Sequence, residues 1–335
     1  MTAAPEGAAG KRCRIGVSGL GSIGAAHARV LAERGVELVF HDPAAASLEA
    51  VAGVPHQESA GSFERLLDSG LDGLVVATPD RFHVEQASAG CERGIPVLVE
   101  KPVSDDLEAA RRLATAQAAS GTHVLVGYVL RHSRVLARVR TLVQDGAIGV
   151  PVSFQVMLGA YETLEVARNR FREPLPGGLF LDYSHEWDYI NWLLSPIRSG
   201  CALAGRVSSL PLVQDPNFAD GALQLASGAT GSFHLDYVQK PGRRRLTVVG
   251  DRGTLDADVP AGLVRVREHG DEMVREYREP DSRLELLGRQ ADHFLDVVAG
   301  RQPPRVTLHD AIAALRVALA LRRSSIERAW VAVGD

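Results

Sequence analysis

The chain is poor in cysteine, in aromatic residues, in net charge and in long apolar runs, and each shortage excludes something. Three cysteines among 335 residues, Cys13, Cys91 and Cys201, lie far apart with no C-x-x-C spacing. That excludes a disulfide framework and a thiolate zinc cluster, and it fits reduced thiols in the cytoplasm. His41, His56, His123, His132, His234, His293 and His309 show no metal-ligand spacing, so no metal site is expected. The 37 basic and 41 acidic residues leave a formal charge of −4, so no basic field points to nucleic acid or an anionic membrane. No apolar stretch approaches the roughly 20 residues of a membrane span. The first residues, 1–11, have no apolar signal-peptide core and read as a frayed tail. The expectation is a soluble cytoplasmic protein with no nucleic-acid or membrane partner.

What is present is an ordinary globular composition, 45% hydrophobic and 23% charged, at a length that suggests two domains. Up to residue 128, apolar strand runs (14–18, 36–40, 73–78, 96–100, 123–127) alternate with helical patterns (22–34, 62–68, 81–93, 105–119). Nearly all-apolar strands in that alternation predict a doubly wound parallel sheet covered on both faces. From about Arg131 the pattern changes. A helix over 135–144 precedes strand-like runs at 152–158, 222–226, 231–237, 246–250, 254–256, 263–267 and 273–277, with helices at 181–194, 284–299 and 308–324. Short Gly/Asp turns such as 250–253 join successive strands, which predicts an open, mostly antiparallel sheet. The fold class is α/β: a Rossmann domain over 12–128, then an α+β substrate-binding and oligomerisation domain over 129–335.

The turn Gly19-Leu20-Gly21-Ser22-Ile23-Gly24 follows the first strand and opens the first helix. In that setting Gly19 allows the tight turn, Gly21 lets the backbone approach a pyrophosphate, and Gly24 lets helix pack on strand. The helix N-terminus offers unpaired N–H groups to the anion. Asp42 stands just after the second strand, 21 residues beyond Gly21, where a carboxylate accepts from the adenosine ribose; its alternative is an ordinary turn residue before Pro43. No arginine follows among residues 43–46 to neutralise a 2′-phosphate, so NAD is favoured, with NADP possible.

Lys101, in Glu100-Lys101-Pro102, ends another strand of the same sheet and shares its carboxyl edge. Farther along, helical spacing puts Tyr183, Trp187, Ile190 and Leu194 on one apolar stripe and Asp182, His185 and Tyr189 on an adjoining polar face. Oxidising a carbinol needs a base for the hydroxyl proton and a cation for the developing alkoxide. Lys101, Asp182 and His185 supply these roles, although a lone helical histidine is more often a core residue.

These segments, with Ala77-Thr78-Pro79-Asp80-Arg81-Phe82-His83 and the run Gly177-Gly178 through Asp182, His185 and Asp188, resemble the Gfo/Idh/MocA family over nearly the whole chain. The resemblance implies NAD(P)-dependent hydride transfer at a carbinol or keto carbon of a sugar, cyclitol or related polyol. It implies that Lys101 orients the substrate hydroxyl, that His185 is the acid/base, and that Asp182 binds substrate or orients the histidine. It places Thr78, Pro79 and His83 at the nicotinamide side and Glu100 near the cofactor ribose. Inositol dehydrogenase-like members usually space acid and histidine four apart; here the spacing is three. Family sheets also commonly pack face to face, implying a homodimer or homotetramer. Tyr128 joins the substrate-binding set. Arg168 and Arg170, in a loop over 161–176, suit a substrate carboxylate or phosphate, or else form a solvated loop with Glu162, Glu165 and Glu173. Two rivals use the same fold: a non-catalytic dinucleotide-binding sensor, and a redox-neutral hydrolase or lyase that retains NAD.

Overall fold

The computed structural model describes residues 12–55, 58–161, 178–207, 215–270 and 273–334. The chain divides into two compact units, Met1–Val129 with Ser282–Ile312 and Leu130–Asp281 with Ala313–Asp335.

In the first unit, strands β1 (Arg14–Ser18), β2 (Glu37–His41), β3 (Glu58–Ser59), β4 (Gly73–Val76), β5 (Val97–Val99) and β6 (Val124–Val126) form a sheet in the order β3-β2-β1-β4-β5-β6. Every pair is parallel. Helices α1 (Ser22–Ala32), α2 (Ala45–Glu49), α3 (Phe63–Leu67), α4 (His83–Glu92) and α5 (Leu107–Ser120) connect the strands. Ile15, Val17, Leu74, Val75, Val97 and Val99 are buried, as strands covered on both faces require. Local signals set the helix ends: Asp106 caps α5 by accepting from Glu108 N–H, and Gly121 closes it at φ +70°. The chain leaves β1 for β2 on one side and later returns as β4 on the other, which makes the gap between β1 and β4 the switch point where such sheets bind ligands.

In the second unit, α6 (Arg134–Gln144) leads into β7 (Pro151–Gly159), then α7 (Gly178–Asp182) and α8 (His185–Leu193) precede β8 (Ile197–Gly205), β9 (Phe218–Leu225), β10 (Thr230–Asp236), β11 (Arg243–Gly250), β12 (Gly253–Asp258), β13 (Leu263–Glu268), β14 (Val274–Arg278) and β15 (Val331–Ala332). The sheet order is β14-β13-β12-β11-β7-β10-β9-β8-β15. All neighbours are antiparallel except β7 and β10, which run parallel. Alternation divides the faces: Phe154, Val156, Leu158, Leu246, Val248, Leu255 and Val264 are buried, while Gln155, Arg245, Asp256 and Arg265 stay exposed.

Helix α9 (Arg283–Val298) belongs to the first unit and α10 (Leu308–Glu327) follows it. Leu287, Ala291, Phe294 and Leu295 of α9 join the core formed by Ile15, Val17, Leu31 and Leu38. Arg34, just beyond α1, reaches Asp292 at 2.6 Å and the Gly288 carbonyl at 2.7 Å. A first domain read as 12–128 therefore lacks this return segment.

The parallel sheet followed by an open sheet agrees with the sequence reading. Its helix over 181–194 does not survive intact. Ser184 N–H reaches Leu181 and Glu186 N–H reaches Tyr183, each three residues back, so the hydrogen-bond ladder tightens and α7 and α8 separate at Tyr183-Ser184. Of the supposed polar face, Asp182 and Tyr189 are buried and His185 is half-exposed, and Leu193 rather than Leu194 packs inward. Strand β8 escaped notice because its Gly/Ala-rich sequence has no clear alternation; β3 and α2 are simply short.

Candidate active site

Gly19 has φ +86°, and a Cβ there would stand 2.6 Å from the Ala77 carbonyl oxygen and the Thr78 nitrogen. Only glycine fits. A side chain at Gly24 would run into the Gly19 carbonyl, whereas nothing lies within 4 Å of where a Cβ of Gly21 would be. Gly21 and Ser22 are exposed and Ile23 is half-buried, so the turn is tight beneath and open above, beside the start of α1. Those residues fit a dinucleotide pyrophosphate. The Asp42 carboxylate already serves the protein: Oδ2 accepts from Leu20 N–H at 2.7 Å and Oδ1 from Ala44 N–H at 2.9 Å. It shapes the cradle while staying half-exposed.

The sheet order places Asp42, Gly19, Thr78 and Lys101 just beyond the ends of β2, β1, β4 and β5, four adjacent parallel strands, hence on one edge. Lys101 is half-buried. Glu100 is buried, with Oε1 2.7 Å from His27 Nε2 on α1 and Oε2 accepting from Lys101 N–H at 3.2 Å. Burial pushes the Glu100 carboxyl up, but the His27 hydrogen bond and the charges of His27 and Lys101 outweigh it and hold the pKa below the usual value. His83 is buried between two carbonyls, Nδ1 2.8 Å from Pro102 O and Nε2 2.8 Å from Thr78 O. Pro79 is exposed at the start of the next turn, and Tyr128 is buried just after β6.

In the second unit, Asp182 ends α7 and His185 begins α8. The buried Asp182 accepts from the Tyr237 hydroxyl at 2.8 Å, and the Tyr183 hydroxyl donates to the Asp236 carbonyl at 3.1 Å, with the two rings 4.9 Å apart. These reciprocal bonds fasten the α7–α8 break to the end of β10. His185 is half-exposed. Two ion pairs fix α8 behind it. Arg131 binds Asp188 through Nε and Nη2 at 2.9 and 2.8 Å, and Arg244 Nε reaches Glu186 at 2.8 Å, with both carboxylates buried. Burial opposes the Arg244 charge, but Glu186 together with Tyr189 and Tyr183 outweighs it and raises the guanidinium pKa. Arg168 and Arg170 lie outside the described residues.

His27, Tyr237, Arg131 and Arg244 are absent from the sequence-based site. The one clue to the arginines is the pair Glu186 and Asp188 flanking a buried Trp187, because carboxylates in a buried helix demand cations.

Residues 13–128 match the oxidoreductase family with an NAD-binding Rossmann fold, and residues 136–256 match the GFO/IDH/MocA C-terminal domain. The chain belongs to the Gfo/Idh/MocA family. As a member it is an oxidoreductase, with NAD as its cofactor. It is 30% identical over 319 residues to the rhizopine catabolism protein MocA of Rhizobium meliloti, covering 92% of this chain and 93% of that protein. It is 25% identical to the NAD(+)-dependent scyllo-inositol 2-dehydrogenase of Bacillus subtilis (strain 168), covering 93% of each. In fold it is similar to scyllo-inositol dehydrogenase from Lactobacillus casei, solved with NAD(H) and scyllo-inositol, at TM-score 0.82 and 21% identity over 97% of this chain and all of that one. No helix among the described residues is long and apolar enough to cross a membrane, and no group of His, Cys, Asp and Glu side chains among them could hold a metal.

Proposed function

We propose that this enzyme interconverts the carbinol and keto forms of a cyclitol or related polyol, with Lys101 and His185 handling charge and proton. The observation that carries the reading is the shared sheet edge, where a glycine cradle follows β1 and a half-buried lysine follows β5, with β4 between them. NAD, when bound, supplies the hydride acceptor or donor. The His185 imidazole takes the hydroxyl proton on oxidation and returns it on reduction. The Lys101 ammonium stabilises the alkoxide that forms as the proton leaves. Asp182, with one oxygen given to Tyr237, orients the histidine or the substrate. Asp42, between Leu20 and Ala44, favours NAD over NADP. The inositol chemistry in the relatives' names supports the substrate class. Oligomerisation through the open sheet face fits its exposed Leu203 and Val249, and a reaction that turns over NAD belongs in the cytoplasm, where the nucleotide pool is.

Incubation with myo-inositol, scyllo-inositol, aldonates and simple sugars, with NAD or NADP, tests this through absorbance of the reduced nicotinamide. Accumulation of NADH with a polyol is expected; tight NAD binding with no net reduction on any compound would favour the NAD-retaining hydrolase. Lys101→Met should cut turnover about 100-fold or more while NAD binding stays near normal. Undiminished turnover would remove Lys101 from the chemistry.

A further inference from the structure

We propose that His83 is a positioning residue that ties the Lys101-Pro102 turn to the end of β4. The inference rests on the role given to Lys101 above. Strands β4 and β5 are joined up to Glu100 N–H, which donates to the Val76 carbonyl at 2.9 Å. Beyond that bond the chains go on to Thr78 and to Pro102, and the imidazole of His83 stands between their carbonyls at 2.8 Å from each. It is 2% exposed.

A neutral imidazole carries one N–H and donates to one carbonyl at a time; only the doubly protonated ring donates to both. Burial drives the ring toward the neutral form, against the two carbonyls and the carboxylates of Glu100 and Asp80. At neutral pH, then, the ring donates to one of the two carbonyls at a time while its other nitrogen faces the second, and what the position needs is a buried donor of the right reach. Pro102 directly follows Lys101, so any movement of its carbonyl carries the lysine backbone with it. On the other side, Glu100 Oε2 accepts from Lys101 N–H. The lysine backbone is thus held from both sides.

The test compares His83→Leu, which keeps bulk but has no donor, with His83→Gln, which keeps one. The chain has three lysines, Lys11, Lys101 and Lys240, so reductive methylation with 13C-formaldehyde gives few signals, and Lys101→Met assigns the relevant one. In His83→Leu the Lys101 methyl resonance should shift and kcat with the polyol should fall about 10- to 100-fold, the cost of a misplaced group. In His83→Gln both readouts should return part of the way. A wild-type resonance and kcat in His83→Leu would overturn the proposal. Should that variant not fold, His83→Asn replaces it: the shorter amide should show the shifted resonance, and Asn and Gln variants both matching wild type would overturn it equally. Full turnover in Lys101→Met would defeat the chemistry proposed for Lys101, while the resonance shift would still report whether His83 holds it.

Discussion

Nε2 of His27 lies 2.7 Å from Oε1 of Glu100, joining the first helix after the glycine turn to the residue before Lys101. Nucleotide cradle and lysine are therefore mechanically linked inside one unit through a buried pair. Because the folded Glu100 pKa is depressed, the stabilisation it brings is present above the unfolded carboxyl value of about 4.3 and is lost as pH falls through the folded value. Glu100→Gln should flatten the acid limb of the melting-temperature profile and lower kcat/KM about tenfold or more. Calorimetry between about pH 3 and 7 checks the first, with identical slopes counting against the pair.

Asp42 makes two bonds to the backbone and, in the proposed complex, serves the ribose. Asp42→Ala should weaken NAD far more than NADP. It should also loosen the turn at Leu20, seen as faster amide exchange there. Equal loss for both nucleotides, read by fluorescence titration, would contradict the ribose role.

Arg131 and Asp188 are both almost wholly buried and meet through two bonds. Arg131→Met takes the guanidinium away from the buried Asp188 carboxylate and should cost about 3–5 kcal/mol in a urea titration. Adding Asp188→Leu should restore much of the loss, and a double variant no better than the single one would mean that packing around Trp192 dominates.

His234 bridges Asp220 and Asp236 at 2.8 Å each. Burial works against its charge, but the two carboxylates outweigh it and raise its pKa. The bridge therefore stabilises fully below the unfolded histidine value of about 6.5 and loses its effect as pH rises through the folded value. His234→Gln should lower the melting temperature at about pH 6 and leave it unchanged at about pH 9. A deficit of the same size at both would point to packing instead.

Much of the first unit was legible because its strands are apolar runs and its turns carry glycine at positions that nothing else can occupy. Gly19 and Gly24 were readable for that reason. The second unit hid more. Its alternating strands were visible, but Tyr237 with Asp182 and Arg244 with Glu186 are separated by 55 and 58 residues, and periodicity carries no information about such pairs. The break at Tyr183-Ser184 was hidden too, since bonds between distant side chains override a continuous helical pattern there.

The position of Phe294 and Leu295 among Ile15, Val17 and Leu31 has a consequence for synthesis. During translation the nucleotide-binding half emerges first yet cannot close its apolar interior until α9, which begins 155 residues beyond residue 128, arrives. The intervening chain must be accommodated meanwhile, and a truncated product ending at residue 128 would expose the surface that α9 normally covers, inviting aggregation.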